Sequence, residues 1–335
     1  MIPTKIGVPI PSVIDLNKDV EPFVIQGTAI RSMFFKDEFK PLQFIHFSDV
    51  HAISELWGRI SEYINYYSNY ISFGLHTGDY CGGSQEQYAD CYNECTPCHN
   101  PILNCVGNHD TVSLIDGKFI KTDKETVHKL LFNKTDDWKV NFMPIEHSMA
   151  YYKDFPDSKI RLIVIDQYYD IEEQRQWVKE RLDEALNENL HVITASHTQT
   201  EYIEKKLDVT FCSITDFESI ENYRQKSFLE ELLVAFKKAG GIHVVHLSGH
   251  RHHDVLGCTQ NGIFNIAIEC ATSWNGYTDA KRVRGSKTFD CFNVVSVDPI
   301  THVLKLTRVG NNADCYLRVK RTLCYDYVDN KIVFG

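Results

Sequence analysis

The chain has 335 residues, 43% of them hydrophobic and 24% charged, with a formal net charge of −10. That is enough for one large α/β domain or two small ones around a sizeable core. Lysine and arginine are scattered with no basic stripe, which argues against a protein built to grip nucleic acid.

Residues 1–40 are dotted with proline (Pro3, Pro9, Pro11) and read as an N-terminal extension on a domain spanning 41–335. Short β-like runs fall at 23–25 and 33–35. The first 20 residues lack the apolar core of a signal peptide, and no later run is long enough to cross a bilayer, so a cytoplasmic protein is expected. A strand is predicted at 42–47, ending in Ser48, Asp49 and His51. A helix follows at 54–67, with Leu56, Ile60 and Ile64 at helical spacing. A strand at 71–75 leads to Gly78 and Asp79, a helix is predicted at 85–98, and a strand at 102–106 leads to Gly107, Asn108, His109 and Asp110. This strand–helix alternation implies a largely parallel sheet. Residues 111–150 hold a helix at 124–132 and no evident chemistry.

Next come a strand at 161–165, closed by Asp166, and a helix at 172–189. A strand at 191–195 ends in Ser196 and His197. A polar insertion at 198–223 precedes a helix at 224–238, stopped by Gly240 and Gly241. The strand at 242–247 ends in Ser248, Gly249 and His250. The tail strands at 263–268, 292–297 and 303–307 have little helix between them and suggest a second, antiparallel sheet.

Five strands thus end in residue types that bind metals: Asp49-Val50-His51, Gly78-Asp79, Gly107-Asn108-His109-Asp110, Ser196-His197 and Gly249-His250-Arg251-His252. The C-terminal ends of strands in open α/β sheets are where ligands gather, so segments two hundred residues apart can meet. Imidazole, carboxylate and amide together suit zinc, iron or manganese. The D-x-H and H-x-H spacings would place both side chains of a pair on one side of an extended backbone.

In this order the five segments resemble the signature of the calcineurin-like metallophosphoesterases, over roughly residues 42–310. Val164-Ile165-Asp166 followed by Gln174 and Trp177, and the closing Thr307-Arg308-Val309-Gly310, are similar too. The resemblance implies a four-layer αββα sandwich, two central mixed β-sheets flanked by helices, with two divalent metal ions at the sheet edge: manganese, iron or zinc. It implies that Asp49, His51 and His252 hold the first ion, that Asn108, His197 and His250 hold the second, and that Asp79 bridges them. His109 would face the substrate and Asp110 would orient it.

The chemistry agrees, because two cations about 3.5–4 Å apart need a shared anion, and a hydroxide between them attacks phosphorus in line with the leaving group. His109 would give a proton or hydrogen bond to the leaving oxygen. His46, His76, His243 and His246 lie inside strands and are expected to pack or hydrogen-bond. Arg251 is expected to point away from the ions. Tyr88, Cys91, Cys95 and Cys98 share one helix face, read as a buried stripe ahead of a structural zinc.

Gly82 and Gly83 stand where related protein phosphatases carry Asp-Arg, and purple acid phosphatases carry a ligating tyrosine where this chain has Gly82. The expected substrate is a small phosphorylated molecule, with phosphodiester ahead of phosphomonoester. The alternatives are a metal-dependent nuclease or a catalytically silent scaffold.

Overall fold

The computed structural model describes residues 39–51, 54–80, 88–89, 100–116, 118–132, 135, 138–200, 205–206, 228–252, 254–271, 289–311 and 321–334. The first half of the chain forms β1 (Leu42–Phe47), α1 (Ser54–Tyr66), β2 (Gly74–His76), β3 (Ile102–Asn104), β4 (Val112–Ile115), β5 (Lys118–Lys121), α2 (Lys124–Leu131), β6 (Asn141–Phe142), β7 (Tyr151–Phe155) and β8 (Ile160–Val164). The second half forms α3 (Ile171–Asn187), β9 (His191–Ala195), β10 (Lys205–Lys206), α4 (Leu229–Lys238), β11 (Ile242–Ser248), β12 (Val255–Cys258), β13 (Phe264–Ala267), β14 (Cys291–Asp298), β15 (Val303–Gly310), β16 (Thr322–Asp326) and β17 (Lys331–Phe334).

Strands β1, β8 and β9 are buried along their whole length, as continuous apolar runs covered on both faces should be. One seven-stranded sheet runs β17-β16-β15-β14-β1-β2-β3, and one eight-stranded sheet runs β10-β12-β13-β11-β9-β8-β7-β6. They face each other through ring contacts. Phe264 stacks on Tyr325 with centroids 3.8 Å apart, and Phe73 on Phe155 at 5.0 Å. Helix α1 packs on the first sheet through Trp57, which meets Phe47 edge-on. Helices α3 and α4 cover the second through Trp177, Leu182, Leu233 and Phe236, against Ile163 and Val192. The expected αββα sandwich is therefore present.

The tail differs from expectation. It does not build a sheet of its own. Strand β13 enters the second sheet parallel to β11, while β14 pairs antiparallel with β1 and carries β15–β17 with it. Alternating apolar positions identify a strand but not its neighbour. The 111–150 segment also holds more than a helix: the hairpin β4–β5, and β6, which with the following strand β7 extends the second sheet. The runs at 23–25 and 33–35, the stripe at Cys91, Cys95 and Cys98, and nearly all of the helix predicted at 85–98 lie outside the described residues. No helix among the described residues is long and apolar enough to cross a membrane.

Candidate metal centre

Strands β1, β2 and β3 run parallel, as do β8, β9, β11 and β13, so the C-terminal ends of both sets open on one edge of the sandwich. Backbone hydrogen bonds stitch the loops together there. Asp49 N–H donates to Gly78 O at 3.0 Å, His51 N–H to Asp79 O at 3.1 Å, and Gly249 N–H to His197 O at 3.0 Å.

The motif residues are not extended. Asp49, His51, Asp79, His250 and His252 all have φ between 53° and 69°, the left-handed region. The D-x-H and H-x-H pairs therefore converge through left-handed turns and not through strand alternation. For residues other than glycine this costs of order 1–2 kcal/mol each, and such strain clusters at functional sites. Two glycines make the approach possible. A Cβ on Gly107 would overlap Asp79 N and Oδ1, and one on Gly78, itself at φ +99°, would overlap the His197 ring.

The side chains gather into two groups. In the first, His51 Nε2 lies 3.1 Å from His252 Nε2, and His252 Nε2 lies 3.2 Å from Asp49 Oδ1. In the second, Asn108 Oδ1 lies 3.0 Å from His197 Nε2 and 3.0 Å from His250 Nδ1, and the two ring nitrogens are 3.2 Å apart. Asp79 Oδ2 stands between the groups, 3.9 Å from His51 Nε2 and 3.4 Å from His197 Nε2. Donor atoms that share an ion at about 2.0–2.1 Å stand roughly 3.0–3.4 Å apart, so the spacings within each group and from Asp79 to His197 fit the edges of coordination shells, and that from Asp79 to His51 is longer. Asp49 Oδ1, wholly buried, accepts no hydrogen bond. The residues present therefore fit two cations.

The electrostatics point the same way. Burial would raise the Asp79 carboxyl, but His197 holds it down at about 2. Burial would lower His197, but the charges of Asp79 and Asp49 lift it to about 10. Asp49 is held below the usual carboxylate range against its burial, chiefly by His252, and His252 is raised against its own burial by Asp49. His51 is pushed down to about 4 by burial. In each group a carboxylate raises a histidine and is itself lowered by it, the pull of a buried anion on a cation. His197 Nδ1–H donates to Thr77 O at 2.7 Å, which aims Nε2 at Asp79 and Asn108.

Among the described residues, both oxygens of the Asp110 carboxylate are engaged by groups other than the His109 ring. Oδ2 accepts N–H bonds from Asp79 at 3.0 Å and Gly107 at 2.8 Å. Oδ1 accepts from Tyr80 N–H at 3.0 Å and the Tyr88 hydroxyl at 2.6 Å. Burial pushes this carboxyl up to about 7, while four donors favour its anion. Asp110 ties the Asp79 loop to the Gly107 loop. His109 is half-buried, its N–H donates to Asp79 Oδ1 at 2.9 Å, and its ring meets the His51 ring edge-on at 5.0 Å.

Gln167 and Gln174 are bracing residues that the sequence only partly signals. Gln167 accepts from Thr198 N–H at 2.8 Å, beside His197, and Gln174 bonds both backbone groups of Asp166. His46, His243 and His246 bond to Thr77 or Thr194 inside the sheets, and His76 packs against Trp57.

The sequence profile of the calcineurin-like phosphoesterases matches residues 42–254. No curated protein matches the chain. Among solved structures, a dimetal phosphatase from Danio rerio superposes with a TM-score of 0.52 at 12% identity, over 82% of this chain and 97% of that one. GAP50, the anchor in the inner membrane complex of Plasmodium, superposes with a TM-score of 0.49 at 13% identity, over 81% and 84% of the two chains.

Proposed function

The chain belongs to the calcineurin-like phosphoesterase family, a family of metal-dependent phosphoester hydrolases, and from that premise we propose that it acts on a small phosphodiester in preference to a monoester. The observation that carries the two-ion chemistry is the pair of donor groups on either side of Asp79 Oδ2. Asp49, His51 and His252 would hold one divalent ion, and Asn108, His197 and His250 the other. Bound there, manganese, iron or zinc supplies Lewis acidity toward the phosphoryl oxygens and a water acidified toward neutral pH.

The rest falls to the chain. Asp79 fixes His109 through its backbone N–H, which sets the half-exposed imidazole at the rim of the first group. From that rim it can protonate the leaving oxygen, a step worth about 10²–10⁴-fold. Asp110 keeps the Asp79 and Gly107 loops in register. Gly83 stands where protein phosphatases of this fold have an arginine, so a two-pronged grip on phosphate oxygens is missing at that position. This supports a diester, which carries one fewer negative charge.

The test is hydrolysis of bis(p-nitrophenyl) phosphate, p-nitrophenyl phosphate and an alkyl diester by metal-loaded protein. The expected order puts diester ahead of monoester. His109→Ala should lose far more rate on the alkyl diester, whose leaving group needs a proton, than on the nitrophenyl esters. Equal losses on both would refute the role of His109. Cleavage of single- or double-stranded DNA in preference to all three would favour a nuclease. No turnover with any of these metals would favour a silent scaffold.

A further inference from the structure

The seven ligands leave one reactive group at the centre unused, the thiol of Cys270. This residue follows β13 and is buried, 1% exposed. The Ala271 N–H bond to Ser48 O at 2.8 Å lays its segment alongside the Asp49 turn, and Cys270 Sγ–H donates to the Asp49 carbonyl at 2.9 Å. The sulfur and one ring nitrogen from each of His51 and His252 all lie within 4.8 Å of one another. An independent observation marks the same point. Asp49 Oδ1, wholly buried and without a hydrogen bond, stands 3.2 Å from His252 Nε2. Two imidazoles, a buried carboxylate oxygen and a thiol therefore surround one position.

We propose that Cys270 is a sulfur ligand of the first metal position, which biases that position toward zinc or ferrous iron and away from manganese. The proposal rests on the two-ion reading above. In a tetrahedral shell, sulfur about 2.3 Å and nitrogen about 2.0–2.1 Å from one zinc ion stand roughly 3.5–3.7 Å apart. From its 4.8 Å limit the sulfur therefore has up to about 1 Å to close, within reach of a side-chain rotation. On binding, the Sγ–H bond breaks, the proton leaves to solvent, and a sulfur lone pair goes to the ion, since a coordinating thiol is deprotonated outright. Rotation about Cα–Cβ takes the sulfur off the Asp49 carbonyl. Thiolate is a soft donor that favours zinc, while carboxylate and water suit manganese.

Cobalt(II) reconstitution of the chelator-stripped protein tests this by absorption spectroscopy. Visible d–d bands report cobalt in the centre, and a near-ultraviolet thiolate-to-cobalt band reports sulfur bound to it. The wild type should show both. Cys270→Ser, checked for folding by circular dichroism, should keep the visible bands and lose the near-ultraviolet band. Cys324→Ser, which alters a half-buried thiol on β16, should keep both. In zinc–manganese competition, Cys270→Ser should shift the preference toward manganese by about tenfold or more. Visible bands without the sulfur band in the wild type, or a sulfur band that survives Cys270→Ser, would overturn the ligand assignment and leave the thiol as a brace for the Asp49 carbonyl. Absence of visible bands in the wild type would overturn the two-ion reading as well.

Discussion

Replacing Asp110 by alanine separates a loop tie from a histidine orienter. The carboxylate is 2% exposed and takes hydrogen bonds from three backbone N–H groups and one hydroxyl, at 2.6–3.0 Å. The Tyr88 hydroxyl can rotate toward another acceptor, but the three backbone donors cannot. A buried donor without a partner costs about 1–3 kcal/mol. Three of them place the loss at roughly 3–6 kcal/mol, after some relief from water entering the space of the carboxylate. In thermal unfolding this is a drop of roughly 5–10 °C. Asp110→Asn should fall between, because its amide keeps one acceptor and turns a donor toward the remaining N–H groups. The assay is urea unfolding of chelator-treated protein, so that no bound ion contributes. A variant within about 1 kcal/mol of wild type that nevertheless lost activity would refute the tie and restore the orienting role.

Other perturbations have equally definite outcomes. Gly107→Ala pushes a methyl into Asp79 N and Oδ1, so affinity for metal should fall about 10–100-fold by calorimetry, and unchanged affinity would show that the loops have slack. Arg308 is wholly buried, forks onto Asp254 two residues past His252, and bonds Asn293 Oδ1 at 2.8 Å. Arg308→Met should therefore cost about 3–5 kcal/mol in denaturant unfolding by stranding the Asp254 charge, and a cost below about 1 kcal/mol would contradict that. Burial pushes the Asp166 carboxyl up to about 7, above its unfolded value. Its contribution to stability is thus fully present below about pH 4 and is lost as pH rises through 7. Asp166→Asn should accordingly gain roughly 2–4 kcal/mol on wild type between pH 4 and pH 8, and a pH-independent difference would refute the shift.

The sandwich and the gathering of the motif residues were legible because each motif follows an apolar strand. The sequence from Leu42 to Phe47 is buried throughout, and Asp49 and His51 follow it directly. Three features were not legible, each for a physical reason. Left-handed turns at Asp49, His51, Asp79, His250 and His252 carry no glycine signature, because the strain is carried by the surrounding contacts. The partners of Asp110 come from Asp79, Tyr80, Tyr88 and Gly107, which meet only once the loops have folded together. The clamp of Arg308 on Asp254 joins β15 to the loop behind His252, a pairing that depends on β14 having chosen β1 as its neighbour. The β4–β5 hairpin was legible in principle, since Asp116-Gly117 between two apolar runs is a strong two-residue turn signal.

The most direct test is anomalous diffraction from a crystal loaded with zinc or manganese. Two peaks about 3.5–4 Å apart are expected, one against Asp49, His51 and His252, the other against Asn108, His197 and His250, with the Asp79 carboxylate reaching both. A single peak, or ions bound away from Asp79, would contradict a shared two-ion centre.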